Sequence, residues 1–475
     1  MSSKDNKEDN KNNKNSKVLG IRRENKNKWE RRVALTPEGV KKLVKNGIKV
    51  IFQPCNLRCY TNKQYEDAGA EICEDISKAD VILGVKEIPL DLFIDNKTFL
   101  FFSHTFKGQS NNMPALDKML DQKVRLIDYE LIKDQDKGAR LVAFGKYAGL
   151  VGAIDFLQGL GQFLVHKKLY TPFLHVGFSY MYPSLEHAKK AVVKVGQMFK
   201  TKKLNQNLLP LIFAVTGNGR VTGGSVEILE LLPHKWIEPD DLHKLFDGED
   251  KSKNDIVYLT KLEHKHMYVR KDKNKEDQNC NNFDKQHFYK NKKMYNSIFA
   301  EKYLQYISAI FHCMYWDTDS PVLITDNDAS DLSSKNNLRL LGITDITCDW
   351  PEASIKLLKK LTKIEKPFYS IDPITGIIEE NFNKISNNAI LYHSVDHLPS
   401  ELPFDSSNHF SDKLTPFIPD LLKSNYPCEY KEDDLPPELH KATETWNGKL
   451  TPDYEYLYEE LSKTFNSKYS KNKKE

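Results

Sequence analysis

Ionisable side chains follow several short apolar runs in the first third of the sequence. Lys86 and Glu87 come directly after ADVILGV, His104 follows TFLFFS, and Glu130 follows VRLIDY. Charged groups at the ends of parallel strands meet at one sheet edge and face the cleft there. A lysine and a histidine in such places can be tuned toward neutral pH for proton transfer. A lone lysine after a strand is usually a solvated strand end, but the pair Lys86–Glu87 together with a strand-end His104 indicates a dehydrogenase-like site.

A glycine-rich segment in the middle of the chain is the second candidate site. The run IFAVTGNGRVTGG leads from an apolar strand into Gly217, Gly219, Gly223 and Gly224 and then into a helical pattern. Glycines at a strand-to-helix turn let the backbone approach a pyrophosphate and aim the helix N-terminus at its charge. The spacing is GxGxxxGG rather than GxGxxG, and such a turn can be purely structural. Its place between two sets of strands and helices favours the cofactor-binding interpretation.

Two sets of alternating strands and helices must position these residues. The first contains VLGIRRE, TPEGVKKLVKNG, IKVIFQP, ADVILGVKE, TFLFFSH and VRLIDYELI; the second contains IFAVTG, IVYLT, ISAIFHCMYW, PVLITD, LRLLGITDIT and AILYHSVDHL. Alternation of this kind predicts parallel, helix-covered sheets. Thr36 and Pro37 are suited to begin the first helix and Gly47 to end it. We therefore predict an α/β protein with two Rossmann-like domains and a cleft between them.

The order of these patterns predicts the domain boundaries. We expect a catalytic domain from 18–144 and 399–455, because LTPFIPDLL after VDHLP is helical in pattern and the chain should return to the first domain. The dinucleotide-binding domain then covers 145–398, with a packed helix in PSLEHAKKAVVKVGQMF and a charged, poorly periodic excursion at 246–295. Residues 1–17 are expected to be a disordered polar tail, and residues 456–475 a basic tail.

Charge and cysteine usage exclude several classes of function. The tails carry most of the basic excess: residues 1–17 contribute +2 and 463–475 contribute +4 to a total of +4, which leaves −2 on the remainder. A nucleic-acid-binding surface would need that charge on a structured face. Seven scattered cysteines without a CxxC pair indicate reduced thiols inside the cell. Cys55 and Cys59 lack a second tight ligand pair, so we expect no metal site.

The compartment and the membrane relationship follow from the same sequence. No apolar run approaches the roughly 18 residues needed to cross a bilayer, so we expect no membrane partner. The first 17 residues contain three acids and no arginine, unlike a transit peptide. We expect a soluble, cytoplasmic protein.

Several motifs, in order over about 18–425, resemble a known enzyme family. They are GIRRE, ERRVALTPEGV, ADVILGVKEIP, FLFFSHTFKGQ, LIDYELI, RLVAFGKYAGLVGAIDFL, TPFLHVGFSYMYPSLEHAKKAV and SVDHLPSELP. The sequence resembles the lysine–ketoglutarate reductase half of bifunctional aminoadipic semialdehyde synthase. It is more distantly similar to lysine-forming saccharopine dehydrogenases and to alanine dehydrogenase. The resemblance also allows a mitochondrial matrix location.

The resemblance implies roles for individual residues. Lys86 and His104 match the acid–base pair, and Glu87 and Glu130 match carboxylates that tune it. Arg32, Lys107 and Arg140 match cations that hold substrate carboxylates, since guanidinium binds them in bidentate fashion. Gly217, Gly219, Gly223 and Gly224 match the phosphate turn, and Asp345 and Asp396 complete the cofactor-binding set together with Glu238 and His312. His312 and the segment CDWPEAS (348–354) depart from the family pattern of Asn and CDxxGGS, which bears on cofactor affinity and preference.

The implied reaction condenses L-lysine with 2-oxoglutarate and reduces the imine to saccharopine with NADPH, or with NADH. Glu238 in HKWIEP is placed to bind an adenine ribose hydroxyl and would favour NADH, whereas Lys235, Arg220 and the 261–265 stretch would favour the phosphate of NADPH. Two alternatives stay open at this point. One is the same chemistry run toward lysine with NAD, and the other is a regulatory relative whose dinucleotide site has decayed.

Overall fold

The computed structural model describes residues 17–201, 205–247, 256–272, 283–465 and 468–469. The chain divides into two compact units, one from 1–144 with 403–475 and the other from 145–402. Each unit contains an eight-stranded, mainly parallel sheet with helices. The protein therefore has the two-domain α/β fold that the alternating pattern predicts.

The first unit begins with six strands and three helices in alternation. They are β1 Leu19–Ile21, α1 Pro37–Lys45, β2 Val50–Phe52, α2 Asn62–Asp67, β3 Glu71–Ile72, β4 Val81–Leu83, β5 Thr98–Phe101, α3 Met113–Asp121 and β6 Arg125–Asp128. Strands β6, β5, β4, β1, β2 and β3 lie side by side in that order and run parallel. Their carboxyl ends therefore share one edge. As predicted, Thr36 caps α1 by accepting the Gly39 N–H, and Gly47 follows the helix with φ +80°.

Among its described residues, the second unit contains ten strands and six helices. They are α4 Gly145–His166, α5 Leu185–Thr201, β7 Ile212–Thr216, α6 Arg220–Leu229, β8 His234–Trp236, β9 Val257–Leu262, α7 His264–Met267, β10 Tyr268–Arg270, α8 Lys285–Lys290, β11 Tyr295–Ser297, β12 Ala309–His312, α9 Asp326–Ser334, β13 Gly342–Asp345, β14 Phe368–Ile371, β15 Ile378–Glu379 and β16 Ile390–His393. The sheet order is β15-β14-β16-β13-β12-β7-β9-β8, and β14 and β15 are antiparallel additions at one edge. The predicted helix in 183–199 is α5, whose Val192, Val195 and Phe199 are buried.

Helix α4 corrects the expectation that no apolar run is long enough for a membrane. By length and composition it could span one, yet 83% of its most apolar stretch is buried inside the protein. Glycines let it pack closely on α6. A Cβ at Gly149 would lie 1.9 Å from the Val221 carbonyl oxygen, and one at Gly224 would lie 2.1 Å from the Lys146 carbonyl oxygen. The two helix backbones therefore touch, and α4 is a core helix of the second unit.

The described parts of the charged stretch at 246–295 are more ordered than their composition suggests. Strand β9 joins the main sheet beside β7, and β10 pairs with β11. Tyr268, Phe288 and Tyr295 from this stretch are buried together. Aromatic residues placed among the charges supply the core that the charge count hides. Residues 248–255 and 273–282 of this stretch lie outside the described ranges.

The prediction of a strand at PVLITD is wrong. Its Thr325 caps helix α9 instead.

The chain returns to the first unit at Pro403, a few residues after the expected 399. It adds α10 Pro403–Leu414, α11 Ile418–Lys423, α12 Pro437–His440, β17 Thr443–Trp446, β18 Lys449–Leu450 and α13 Leu457–Phe465. Strand β17 pairs antiparallel with β6 and extends the first sheet. Helix α13 corrects the expected tail from 456, because Leu457 and Leu461 are buried in the first core. Residues 466–467 and 470–475 of that tail are not among those described.

Candidate active site

Three neighbouring strands of the first sheet carry the predicted acid–base residues. Lys86 lies three residues after β4, His104 three residues after β5, and Glu130 two residues after β6. The strands are adjacent and parallel in the order β4, β5, β6. The three loops therefore leave the same sheet edge side by side, as the sequence pattern predicts for the strands.

A buried carboxylate lies at the centre of the cations on this edge. Glu130 Oε2 is 2.9 Å from His104 Nδ1 and 3.4 Å from Lys107 Nζ, and Glu130 Oε1 is 2.6 Å from Arg140 Nη2. Burial disfavours its charged form, but the hydrogen bond from His104 and the charges of Arg140 and Lys107 prevail and lower the pKa of Glu130 to about 2. Since an ionised carboxylate only accepts hydrogen bonds, His104 Nδ1 must donate to it. The ring Nε2 is then the atom left to exchange a proton.

A second carboxylate, that of Glu24, fixes the loop that carries Lys86. Buried Glu24 accepts the backbone N–H groups of Val85 (2.8 Å) and Lys86 (3.0 Å). Burial raises the pKa of Glu24 despite the nearby Arg22 guanidinium. Burial also works against the charge of Glu87, but the Lys86 ammonium and the backbone outweigh it and lower the Glu87 pKa. His104 contributes to the same lowering, so Glu87 lies within electrostatic reach of both predicted proton-transfer groups.

Arg32 has a different place from the one expected for a substrate-binding residue. Its Nε and Nη2 donate to the two oxygens of Glu30 at 2.8 and 2.5 Å, and its guanidinium lies 4.3 Å from the centre of the Phe144 ring. The side chain is 3% exposed. Arg32 is therefore committed to a buried ion pair, whereas Lys107 and Arg140 are 39% and 51% exposed. The charge available to a substrate comes from these two.

Residues of the C-terminal return, which the sequence did not indicate, also support the site. Phe410 of α10 stacks on Phe144 at 4.4 Å and contacts Tyr129 edge-on at 5.0 Å. Glu444 of β17 accepts the Thr105 hydroxyl at 2.7 Å. Both come from a part of the chain more than 250 positions away in sequence. No local pattern connects them with the loops, so only the fold could identify them.

The glycine turn of the second unit has the form expected for a phosphate-binding turn. Gly217 has φ +85°, which favours glycine, and Gly219 precedes the first residue of α6. A Cβ at Gly219 or Gly223 would meet no atom within 4 Å. The outer face of the turn is therefore open, and the N-terminus of α6 is available to an anion. Gly224 has a different role, since it lies in the contact with α4 described above.

The predicted ribose-binding residue Glu238 does not lie beside the glycine turn. It follows β8, which forms the sheet edge, and β9 lies between β8 and β7. In this fold the acidic residue that binds ribose follows the strand next to the glycine-turn strand. Here that strand is β9, and the residue after it is Glu263. Lys261 Nζ lies 3.5 Å from Glu263 Oε1 and 3.4 Å from Asn218 Oδ1 in the glycine turn.

Two other predicted cofactor residues are turned into the protein. His312 is 0% exposed, with its Nδ1 3.0 Å from the Thr216 hydroxyl and its Nε2 2.8 Å from the Ser354 hydroxyl. Burial lowers its pKa, so the ring is neutral. Buried Asp345 accepts the Tyr392 hydroxyl (3.0 Å), the Thr347 hydroxyl (2.8 Å) and the Cys348 N–H (3.2 Å).

Asp396 is exposed in the loop after β16. It lies at the carboxyl edge of the second sheet, which the glycine turn shares. Unlike the buried His312 and Asp345, Asp396 could therefore contact a ligand bound at that edge. In the ranges that the structure covers, no group of three or more His, Cys, Asp or Glu side chains is arranged to hold a metal ion.

Comparison with known proteins agrees with these features. Residues 20–151 match the family "Alanine dehydrogenase/PNT, N-terminal domain". The chain is 39% identical over 455 residues to an alpha-aminoadipic semialdehyde synthase of Arabidopsis thaliana, covering 93% of this chain and 41% of that protein. It is 35% identical over 453 residues to the mitochondrial alpha-aminoadipic semialdehyde synthase of Mus musculus, covering 93% and 47%. The chain thus spans less than half the length of these relatives.

The fold has a counterpart among solved structures. An L-alanine dehydrogenase superposes with a TM-score of 0.58 and 14% identity, covering 94% of this chain and 99% of the other. That likeness concerns the fold alone, whereas the sequence identity reaches across both units. The chain is similar to the alpha-aminoadipic semialdehyde synthases over nearly all of its own length, and its residues 20–151 match the alanine dehydrogenase/PNT N-terminal domain.

Proposed function

We propose that this protein is a lysine–2-oxoglutarate reductase that forms saccharopine with NADPH. The observation that carries the proposal is the His104–Glu130 pair with Lys107 and Arg140 around it, beside the Lys86 loop. Lys107 and Arg140 are 39% and 51% exposed, whereas Glu130 is 7% exposed, so a ligand at this edge meets positive groups first. Lysine, 2-oxoglutarate and the product all carry carboxylates, and such an edge has the sign to hold them.

The chemistry needs proton transfers that Lys86 and His104 can perform. The ε-amine of the substrate lysine must lose a proton before it attacks the keto carbon of 2-oxoglutarate. The carbinolamine that results must gain a proton on its hydroxyl before it loses water to become an imine. His104 Nε2, with Nδ1 fixed by Glu130, and the Lys86 amine are the two groups that we assign to these transfers. A bound nicotinamide cofactor supplies the hydride that reduces the imine.

The open glycine turn fits a dinucleotide. Gly217 and Gly219 would let the backbone approach its pyrophosphate at the N-terminus of α6, and Asp396 would lie at the same sheet edge. We propose that NADPH is preferred because Lys261 lies beside the turn, where a 2′-phosphate on the adenine ribose would come. A phosphate carries nearly two negative charges, so pairing with Lys261 would outweigh repulsion from Glu263.

The test is NADPH oxidation by the purified chain, with lysine and 2-oxoglutarate added together and each omitted in turn. We expect turnover that requires both substrates. Lys86→Met and His104→Gln should each lower turnover by roughly two to four orders of magnitude while leaving NADPH binding intact. Retention of wild-type rates by both variants would remove the chemistry from the first unit. Faster reaction from saccharopine with NAD would favour the lysine-forming direction.

Cofactor preference is tested by comparing Michaelis constants for NADPH and NADH. Lys261→Ala should raise the NADPH constant by about 10-fold or more and change the NADH constant little. Glu238→Ala is the matched control and should change neither. If NADH binds better in the wild type and Glu263→Ala abolishes that preference, the NADPH proposal is withdrawn and the reductase remains.

The proposal extends to the compartment and to molecular partners. Its expected partners are the small molecules lysine and 2-oxoglutarate. The mouse relative is named as mitochondrial, which supports a mitochondrial location over the cytoplasmic one expected from the sequence. Fractionation of cells that express the tagged chain distinguishes the two.

A further inference from the structure

One buried carboxylate gathers the loops that carry His104 and Glu130. Asp128, the last residue of β6, is 0% exposed. Its Oδ2 accepts the backbone N–H of Ser103 (2.8 Å), the backbone N–H of His104 (3.0 Å) and the Ser103 hydroxyl (2.7 Å). Its Oδ1 accepts the Glu130 N–H at 2.7 Å. Four donors from two loops therefore converge on a single side chain.

The backbone at His104 needs such support. His104 has φ +59° and ψ +9°, in the left-handed region that a residue with a side chain rarely adopts. Strain of this kind persists only where the surroundings hold it. The His104 N–H bond to Asp128 fixes the peptide unit before His104. The Thr105 N–H donates at 3.2 Å to the Ser103 hydroxyl, which itself donates to Asp128, and this fixes the peptide unit after His104. The same conformation directs the imidazole toward Glu130.

A second buried carboxyl completes the network from the other side. Glu444 of β17 accepts the Thr105 hydroxyl at 2.7 Å and lies 3.3 Å from the Ser103 hydroxyl. Burial and the neighbouring Asp128 raise the pKa of Glu444 well above its usual range. Burial raises the pKa of Asp128 too. Asp128 accepts four hydrogen bonds, three of them from backbone N–H groups, whereas the Glu444 side chain meets two hydroxyl groups, so the negative charge resides on Asp128 and the proton on Glu444.

We propose that Asp128 is a positioning residue of the reductase site, which holds the His104 and Glu130 loops in register through their backbone N–H groups. This inference rests on the proposed function. Asp128 acts through His104 and contacts no reacting atom. An Asn at this position keeps one acceptor oxygen but turns an amide N–H₂ toward donors that need an acceptor. The side chain therefore keeps nearly the same shape but can no longer accept all four hydrogen bonds.

The experiment is a double-mutant cycle with Asp128→Asn and His104→Gln. Asp128→Asn should lower kcat on the order of 10- to 100-fold with KM changed by less than about 3-fold, since misplacement of a reacting group costs turnover. In the His104→Gln background the same change should have less than about a 3-fold effect. Equal losses in both backgrounds, or no loss in the wild type, would overturn the inference.

A control and a direct structural readout accompany the cycle. Asp433→Asn alters another buried aspartate of the same unit, one that pairs with Arg125, and should leave kcat unchanged. If Asp128→Asn does not fold, Ser103→Ala replaces it in the cycle, with the same decision. Hydrogen exchange is followed at the 103–105 and 130 amides, where Asp128→Asn should accelerate exchange at least 10-fold. A wild type without turnover refutes the proposed function, and exchange then decides alone: unchanged rates would overturn the role of Asp128.

Discussion

Replacing Glu130 by Gln should destabilise the protein by an amount that depends on pH in a defined way. The folded pKa of Glu130 is about 2, and an unperturbed glutamate titrates at about 4.3. The difference of about 2.3 corresponds to about 3 kcal/mol at 1.36 kcal/mol for each pKa unit. Since Lys107 and Arg140 are partly solvated, screening reduces this figure, and we expect a loss of about 1.5–3 kcal/mol at pH 7.

The sign of the pH dependence follows from the depressed pKa. A carboxylate with a lower pKa in the folded state stabilises that state fully above the unfolded pKa, and the contribution disappears as pH falls through the folded pKa. The stability difference between wild type and Glu130→Gln should therefore be constant above about pH 5. It should fall to about half by pH 3. It should vanish near the folded pKa of about 2.

The assay is urea unfolding of both proteins at pH 7, 5, 4 and 3, followed by a probe in the first unit. Trp446 of β17 is buried there and suits fluorescence. Glu38→Gln is the matched control, because Glu38 is 67% exposed and only 4.0 Å from Lys42, a pair that contributes little. A Glu130→Gln protein as stable as wild type at pH 7, or a difference that is equal at pH 7 and pH 3, would refute the ion cluster as a stabilising element.

Three further outcomes concern the second unit. Gly224→Ala should lower the free energy of unfolding by about 1–3 kcal/mol or more, because its Cβ would meet the backbone of α4, whereas Gly223→Ala has open space and should be tolerated; thermal unfolding compares them. His312→Ala should cost about 2–4 kcal/mol and leave the dinucleotide Kd unchanged, a result that titration calorimetry can contradict. Burial raises the pKa of Asp155, beside the Glu401 carboxyl, to about 6. The protonated Asp155 should therefore stabilise the folded state fully below its unfolded pKa of about 3.9, and this contribution should be lost as pH rises through 6. Asp155→Asn should remove this loss of stability between pH 4 and 7.

The sequence predicted the strand ends of the first unit because apolar runs and the charges after them are local patterns. Lys86, His104 and Glu130 each follow a run of three or four buried strand residues, so the period and the polar break are visible in the sequence. The ion-pair partner of Arg32 could not be predicted from such a local pattern. Glu30 is only two positions away, but whether a cation faces its neighbour or a ligand depends on burial, and burial here comes from Phe144 and the surrounding core.

Sheet order is the part of the second unit that local patterns do not contain. HKWIEP and IVYLT both have the pattern of a strand. Because HKWIEP comes first in the chain, the sequence predicted that it would lie beside the strand of the glycine turn. The structure places β9 there instead and moves β8 to the edge. The charged residues around 246–255 conceal that the next strand is the more apolar one, VYLTKL, with five of its six residues buried. A buried strand belongs inside a parallel sheet, and the short, exposed HKW belongs at its edge.

The departures from the family pattern bear on whether the dinucleotide site is functional. Cofactor binding would be lost most directly if side chains filled the glycine turn or if a negative charge lay where the phosphates would bind. The turn is open, and His312 lies behind it with both ring nitrogens engaged by Thr216 and Ser354. The segment that begins at Cys348 is organised by Asp345, whose oxygens accept from its backbone and from Tyr392. Both departures are therefore absorbed in packing beneath the strand ends. This supports a retained dinucleotide site over a decayed one, because substitutions that complete each other's hydrogen bonds change the support of a site without removing its ligand contacts.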